Sequence, residues 1–288
     1  MAPKSDGWQA YSLDHAPQRE LREKYSGQPD IDVEDIEPVD FVWSGGALSS
    51  AVPMELHGSF DACIASHVLE HIPDPISWLA DLSRLIKPEG VLSLILPDKR
   101  FELDCFRPIS TTGSWLDARG RTRHTQGTLY DCGAYTVTND GQPFWGQRYF
   151  GEITFYSDFV AALMYSNKAY EAEYIDAHAW CFTPASFRLI MLELRALELL
   201  PFKIAAEPPP TDFEFYSSWR TASIPSQRTE GTNEERMILL KEIQRELRVQ
   251  IEYMMPTESA PTASSMRSKF ASLHRRLRAG VARYSSRA

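Results

Sequence analysis

The sequence has no uninterrupted run of about 18 apolar residues and no apolar segment near its start of the kind found in secretory signals. It therefore predicts neither a transmembrane helix nor an exported protein, and we expect a cytoplasmic location. It also has few cysteines and no C-x-x-C pair; the four are Cys63, Cys105, Cys132 and Cys181. Such scattered cysteines fit a reducing compartment, where they fill small apolar positions rather than form disulfides or zinc sites.

Acidic residues are absent from the last stretch of the chain, Met266–Ala288, which carries seven Lys and Arg residues. Because the net charge of the whole chain is −9, the other 265 residues carry −16. So acidic a body repels phosphate, which argues against nucleic-acid binding. Within the tail, Phe270, Leu273, Leu277 and Val281 fall on one helical face among basic residues. This pattern suits weak peripheral contact with an anionic membrane or an acidic partner, with a solvated end as the alternative.

The apolar pattern in the first third of the chain predicts an α/β fold. Short β-branched and aromatic runs at 39–43 ("VDFVW") and 60–66 ("FDACIAS") indicate strands, as does the apolar run 91–97 ("VLSLILP"). Between the last two, "DPISWLADLSRLI" has helical spacing, with Asp74 as N-cap and Pro75 at the first helical position. Strand, helix and strand in this order predict parallel strands with a helical crossover, and "KPEG" is interpreted as the turn that ends the helix.

Residues 99–180 contain few strand signals. A helix is predicted over 183–198, with Thr183 at its start. Two strands between 198 and 220 are predicted to form an antiparallel hairpin. Residues 233–255 then form an amphipathic helix that the preceding domain need not bury. These patterns divide the chain into a domain over 1–221, an amphipathic helix over 228–255, a flexible linker over 256–265 and the basic tail over 266–288.

The five residues from His67 to His71 read H-V-L-E-H, and H-x-x-E-H is the pattern of the inverted zinc proteases. That site needs both histidines on one face of a regular helix and a third ligand further along. Here a strand precedes His67, and Pro73 and Pro75 follow His71, so two turns of helix do not fit. The zinc protease is therefore a remote alternative, and we predict no metal site.

The succession "FDACIASHVLEHIPDP", helix and "RLIKPEGVLSLILPD" resembles the fourth and fifth strands of class I S-adenosylmethionine-dependent methyltransferases. More narrowly, the stretch 59–113 is similar to methyltransferase modules of bacterial polysaccharide biosynthesis, which often stand beside glycosyltransferases. The resemblance covers roughly residues 2–220. It implies a Rossmann-like sheet with an antiparallel last pair, an inserted cap over 99–180 on the acceptor side, and helices after the domain.

The resemblance also implies a function and a site. The function is S-adenosylmethionine-dependent O-methylation of a sugar or other polar acceptor, with a glycosyltransferase as partner. Asp14 would bind the cofactor's ribose hydroxyls, Ser44 and Gly45 its adenine edge, and Ser66 and His67 its methionine end, with His67 also a candidate general base. Ordinary turn roles remain the alternative for Asp14 and Gly45, and a hydrogen bond that orders the loop remains the alternative for His67.

The acceptor side is the less specific part of the resemblance. Asp98, Lys99 and Arg100 follow the fifth strand and face the acceptor in this interpretation, with a solvated charge cluster as the alternative. Residues 99–180 mix aromatic, His and Arg residues with small polar ones, as in "DAHAW". This composition suits a sugar, and it suits an ordinary packed insertion as well.

One element of the family pattern is missing. The first strand, with its acidic residue and G-x-G loop, should precede Asp14, but only thirteen residues do so and they contain no G-x-G. The resemblance therefore implies an N-terminally incomplete sheet, from either a clipped start or a degenerate relative. A catalytically silent methyltransferase-like module that acts through its C-terminal helix is the second hypothesis for function.

Overall fold

A computed structural model of the chain describes residues 4–27, 32–146, 151–171, 174–223 and 231–254. The predicted linker (256–265) and basic tail (266–288) lie outside the described residues. The chain divides into two compact units, residues 1–247 and 248–288, and the sheets and the site lie in the first. The strands are β1 Leu13–Asp14, β2 Phe41–Val42, β3 Phe60–Ser66, β4 Ile86–Pro97, β5 Val137–Asn139, β6 Ile153–Phe155, β7 Phe202–Ala206 and β8 Glu214–Thr221. The α-helices are α1 Gln18–Tyr25, α2 Pro75–Leu85, α3 Thr112–Asp117, α4 Gln126–Tyr135, α5 Phe159–Asn167, α6 Pro184–Ala196 and α7 Asn233–Met254.

The main sheet has the strand order β3-β4-β8-β7. β3 and β4 are parallel, with Ala65 opposite Leu94, and α2 forms the crossover between them. β8 is antiparallel to β4 and β7 is antiparallel to β8. The parallel pair and the antiparallel hairpin predicted from the sequence are both confirmed, and the mixed α/β architecture agrees with a Rossmann-like fold.

β1 and β2 form a separate parallel pair, with Asp14 opposite Val42. Each has two residues, so the strand expected at 39–43 is shorter than predicted, and it pairs in a small sheet of its own rather than in the single Rossmann-like sheet that the sequence implied. Among the described residues no ladder joins this pair to β3. The ring of Tyr11 stacks on Phe41 (5.5 Å between centroids) and meets Phe60 of β3 edge-on (5.7 Å). β3 is consequently the edge of the main sheet in the described part of the chain, and Ile64 on it is 52% exposed.

The hydrophobic core lies between the main sheet and the helices α2, α3 and α6. On β4, Leu92, Leu94 and Leu96 alternate with less buried residues and are at most 1% exposed, as expected for one face of a strand. Phe187 of α6 packs among the rings of Trp115, Phe182, Phe215 and Trp219, with centroids 5.3–6.4 Å apart. The aromatic cluster joins α3 and α6 to β8.

The N-terminus of α2 is held by Asp74, as the sequence predicts. One carboxylate oxygen of Asp74 accepts the backbone N–H of Ser77 (3.0 Å), and the other accepts that of Gly120 (2.7 Å). We expect Asp74→Ala to lower the free energy of unfolding by roughly 1–3 kcal/mol, because it removes the cap and leaves the Gly120 N–H without a partner. Urea unfolding measures the loss. Asp74→Asn keeps one oxygen for the cap and loses only the acceptor of the Gly120 N–H, so it should cost less than Asp74→Ala; equal losses in the two variants would contradict the argument.

The segment "KPEG", predicted to be a turn, belongs to β4. The strand begins at Ile86, directly after α2, and Ile86 pairs with Phe60. Glu89 has a positive φ (62°), and a Cβ on Gly90 would lie 2.4 Å from the side chain of Ile86. The Gly90 position thus tolerates only glycine because the chain folds tightly onto itself where the pairing register shifts.

The first part of α7 packs against α6, which corrects the expectation of a helix that the domain does not bury. Ile243 is 3% exposed, and Arg236 pairs with Glu193 (2.7 Å). The carboxylate of Glu246 accepts the backbone N–H of Ala185 (3.2 Å) in the first turn of α6, where N–H groups lack helical partners. Within the described residues, no helix is both long enough and apolar enough to cross a bilayer.

Candidate active site

The loop after β3 carries the H-x-x-E-H residues on a tight turn. His67 has a positive φ (51°), and its backbone N–H donates to the carbonyl of Ile95 (3.0 Å). A short 3-10 turn, Leu69–His71, follows. The two histidines therefore do not lie on one regular helix, as the prolines after them predicted. A left-handed backbone at a residue other than glycine is uncommon and is concentrated at functional sites.

The His67 imidazole lies between two carboxylates. Its Nε2 donates to Oε2 of Glu214 (2.9 Å), and its Nδ1 is 3.4 Å from Oε1 of Glu70. The other oxygen of Glu214 accepts the hydroxyl of Tyr216. Glu70 and then Glu214 raise the pKa of His67 above its ordinary value, against the opposing effect of burial. His67 is thus a more basic imidazole than usual, at the carboxyl end of a parallel strand.

Two phenylalanines form an aromatic surface beside His67. The ring of Phe213, the residue before β8, is 6.3 Å from the imidazole. Phe144, from the 99–180 region, lies 4.8 Å from Phe213 and is 39% exposed. A partly exposed aromatic surface next to a basic side chain suits a ligand that has both apolar faces and hydroxyl groups.

Residues 174–180 lie against the loop after β3, although more than 100 residues separate them in sequence. The carbonyl of Glu70 accepts the N–H groups of Ala179 (2.7 Å) and Trp180 (3.2 Å). The hydroxyl of Tyr174 donates to the carbonyl of His71 (2.9 Å). These contacts bring the ring of His178 to 4.6 Å from that of His71, edge to face.

A buried charged network continues from His178. Asp104 is 1% exposed and accepts Nη1 of Arg107 (2.8 Å) and Nδ1 of His178 (2.6 Å). Burial opposes ionisation of Asp104, but Arg107 and His178 lower its pKa to about 2. Burial likewise opposes the charged form of His178, yet Asp104 raises its pKa to about 9. Burial raises the pKa of the neighbouring Glu102 well above its usual range, and the negative charge of Asp104 raises it further.

Asp98, Lys99 and Arg100 are neither a solvated cluster nor an open acceptor surface, since all three are at most 8% exposed. Nε of Arg100 donates to Asp98 (2.8 Å), and Nη2 donates to its other oxygen. Nζ of Lys99 donates to the carbonyl of Cys105 (2.8 Å). The three residues hold the chain in place as it leaves β4, which sequence alone does not distinguish from a charged surface.

The predicted cofactor residues form two groups in the structure. Asp14 ends β1 and Ser44 and Gly45 follow β2, so the parallel pairing brings them to one edge of that pair. Asp14 accepts the N–H of His15 (2.6 Å), its side chain is 42% exposed, and Gly45 has a φ of 109° in an exposed turn. Ser66 and His67 end β3 of the other sheet. No hydrogen bond between described residues joins the two groups.

The family comparison decides the class of this domain. The family described as "Methyltransferase domain" matches residues 6–191, more than half of the chain. The chain belongs to the methyltransferase-domain family. The matched range contains β1 to β6 and most of α6, and with them the loop after β3. A comparison with curated proteins finds no match. The methyltransferase domain thus supports methyl transfer, and its family typically uses S-adenosylmethionine.

Several residues of this candidate site could not be identified from the sequence. Glu214 was assigned to a strand, and His178 was noted only as part of an aromatic and polar mixture. Asp176 belongs to the same stretch, "DAHAW", and Asp104 carried no signal. The H-x-x-E-H pattern did point to this loop, but its partners come from β8 and from residues 104 and 174–180, which no spacing rule connects to it.

Proposed function

We propose that the methyltransferase domain uses S-adenosylmethionine to methylate a hydroxyl group of a sugar or similar polar acceptor in polysaccharide biosynthesis. The observation that carries this proposal is His67, a basic imidazole that Glu70 and Glu214 hold at the carboxyl end of β3. The aromatic surface of Phe144 and Phe213 beside it suits the apolar face of a sugar ring.

When bound, S-adenosylmethionine supplies an electrophilic methyl group on a positively charged sulfur. The acceptor hydroxyl would receive that methyl group, and His67 would take the hydroxyl's proton. An acceptor hydroxyl would take the position beside Nε2 that Glu214, which is 22% exposed, now holds; the imidazole's single proton would then lie on Nδ1, facing Glu70, so that Nε2 can accept the hydroxyl proton. Glu70 at Nδ1 then stabilises the imidazolium that forms. The domain's other contribution is to orient the acceptor and exclude water.

The cofactor-binding residues we propose are Asp14 for the ribose, Ser44 and Gly45 for the adenine edge, and Ser66 with His67 for the methionine end. The partly exposed carboxylate of Asp14 fits two neighbouring hydroxyls, because a carboxylate can accept about four hydrogen bonds and His15 engages only Oδ1. The methionine end has less support, since no G-x-G loop precedes Asp14. In the described part of the chain, β3 pairs with β4 on one side and has no ladder partner on the other.

We expect the chain to bind S-adenosylmethionine weakly, with no micromolar affinity in isothermal titration, because a glycine loop normally lets the backbone approach the cofactor. Methyl transfer from labelled cofactor at millimolar concentration to a panel of sugars and oligosaccharides tests the activity itself. Asp14→Asn should weaken binding further. Asp61→Asn, an exposed carboxylate at the opposite end of β3, is the control.

Micromolar binding of S-adenosylmethionine would contradict the expectation that the chain needs a G-x-G loop before Asp14 to bind the cofactor. The proposed methyltransferase function would still hold. The absence of both binding and transfer would contradict that function. It would favour the alternative, a catalytically silent module that acts as an interaction element, for which a glycosyltransferase is the partner implied by the sequence resemblance. The observation that supports this alternative is the exposure of three apolar residues on α7, which are Met237 (51%), Ile238 (55%) and Leu240 (43%).

A further inference from the structure

We infer that Glu70, His71 and His178 form a binding site for one divalent transition-metal ion. One ligand atom from each of the three residues can be chosen so that all lie within 4.8 Å of one another. Two residues come from the turn after β3, and the third comes from the segment 174–180 that is hydrogen-bonded to that turn. This departs from the expectation of no metal, which assumed that both histidines must lie on one helix.

The buried carboxylate of Glu70 is the feature that indicates a bound ion. It is 0% exposed, and neither of its carboxylate oxygens has a hydrogen-bond partner. Two imidazole nitrogens lie near its carboxylate, Nδ1 of His67 (3.4 Å) and Nε2 of His71 (4.0 Å), and neither makes a hydrogen bond to it. A buried carboxylate that makes no hydrogen bond and has only an imidazole 3.4 Å away is incompletely compensated for its burial. An ion among these three residues would supply the missing partner.

The two histidines are already oriented as metal ligands usually are. Nδ1 of His71 is hydrogen-bonded to Asp176 (2.9 Å), and Nδ1 of His178 to Asp104 (2.6 Å). A carboxylate on one ring nitrogen fixes the orientation of the ring and leaves Nε2 as the atom that can bind the ion. Nε2 of His71 is indeed the atom that faces Glu70. An ion would displace any proton held on these Nε2 atoms, as metal binding to histidine generally does.

The donor set determines the class of ion. Two imidazoles and one carboxylate suit Zn²⁺, Fe²⁺, Co²⁺ or Mn²⁺, whereas Mg²⁺ and Ca²⁺ prefer oxygen ligands. At metal–ligand distances of about 2.1 Å, tetrahedral ligand atoms lie about 3.4 Å apart. The distance between Oε1 of Glu70 and Nε2 of His71 is 4.0 Å, so these two atoms would need to approach each other by less than about 1 Å to bind the same ion. A second cluster, formed by Glu102, Asp104 and His178, is less suitable for a metal ion. Both oxygens of Asp104 already accept hydrogen bonds, from Arg107 and His178.

The test is metal binding by the full chain, purified without a histidine tag and stripped with a chelator. Zn²⁺ is titrated by calorimetry and Co²⁺ by visible absorption, and we expect one ion per chain. Glu70→Gln, which keeps the shape of the side chain, should weaken binding by more than about 100-fold, because it removes a ligand rather than a supporting group. Asp176→Asn should weaken binding by about 10–100-fold through the orientation of His71.

Asp176 is 69% exposed, so Asp176→Asn keeps the test decisive even if Glu70→Gln does not fold. Glu55→Gln, an exposed glutamate, and His57→Gln, a histidine bonded to the carbonyls of Ser49 and Val52, are matched controls that should bind as the wild type does. Less than one ion per chain, a preference for Mg²⁺, or unchanged binding in both Glu70→Gln and Asp176→Asn would overturn the inference. None of these outcomes depends on methyl transfer.

Discussion

Replacing His67 with alanine is expected to lower the rate of methyl transfer by about 10²–10⁴-fold while changing the affinity for S-adenosylmethionine far less. The reason is that His67 is proposed to take the acceptor's proton, an interaction needed in the transition state and not in cofactor binding. Transfer of label from the cofactor to the acceptor, measured as kcat and KM for each substrate, checks this separation.

Two variants separate catalysis from backbone effects at this position. Asparagine tolerates the left-handed conformation that His67 adopts, so His67→Asn keeps the turn and still removes the base. We expect it to be as inactive as His67→Ala. His57→Ala, at a histidine that precedes β3 and is bonded to the backbone carbonyls of Ser49 and Val52, is the matched control for losing an imidazole. An unchanged rate in His67→Asn would make His67 a histidine that only orders the loop.

Replacing Phe187 with alanine is expected to lower the free energy of unfolding by about 3–5 kcal/mol. Phe187 is fully buried and packs against Trp115, Phe182, Phe215 and Trp219, so its removal leaves a cavity that rigid aromatic neighbours cannot fill. Part of the loss comes from the edge-to-face ring contacts, which are worth about 0.5–1.5 kcal/mol each beyond the buried area. Urea unfolding, followed by tryptophan fluorescence, measures the change.

Phe187→Leu should cost clearly less than Phe187→Ala, because leucine fills most of the same volume. Phe159, which is 68% exposed at the start of α5, provides the surface control, and Phe159→Ala should change stability by less than about 0.5 kcal/mol. Similar losses for Phe187→Ala and Phe159→Ala would show that the aromatic cluster is not a centre of the core.

The sequence by itself determined the elements whose signals are local. Asp74 and Pro75 marked the start of α2, because an N-cap and a first-turn proline act on the adjacent backbone. Thr183 did the same for α6, and the apolar runs located β3 and most of β4. The order of strand, helix and strand then fixed the parallel pairing, since such crossovers have few alternatives.

Only the tertiary structure decided the site. His67 reaches Glu214 across 147 residues of sequence, and His71 reaches Asp176 across 105. Asp98 was expected to face the acceptor, with a solvated charge as the alternative, and it is instead buried in an ion pair with Arg100; which of these holds depends on what covers the residue. Period and capping rules describe neighbours along the chain, whereas the pKa of a side chain and its ability to bind a ligand depend on groups that folding alone brings within a few ångströms.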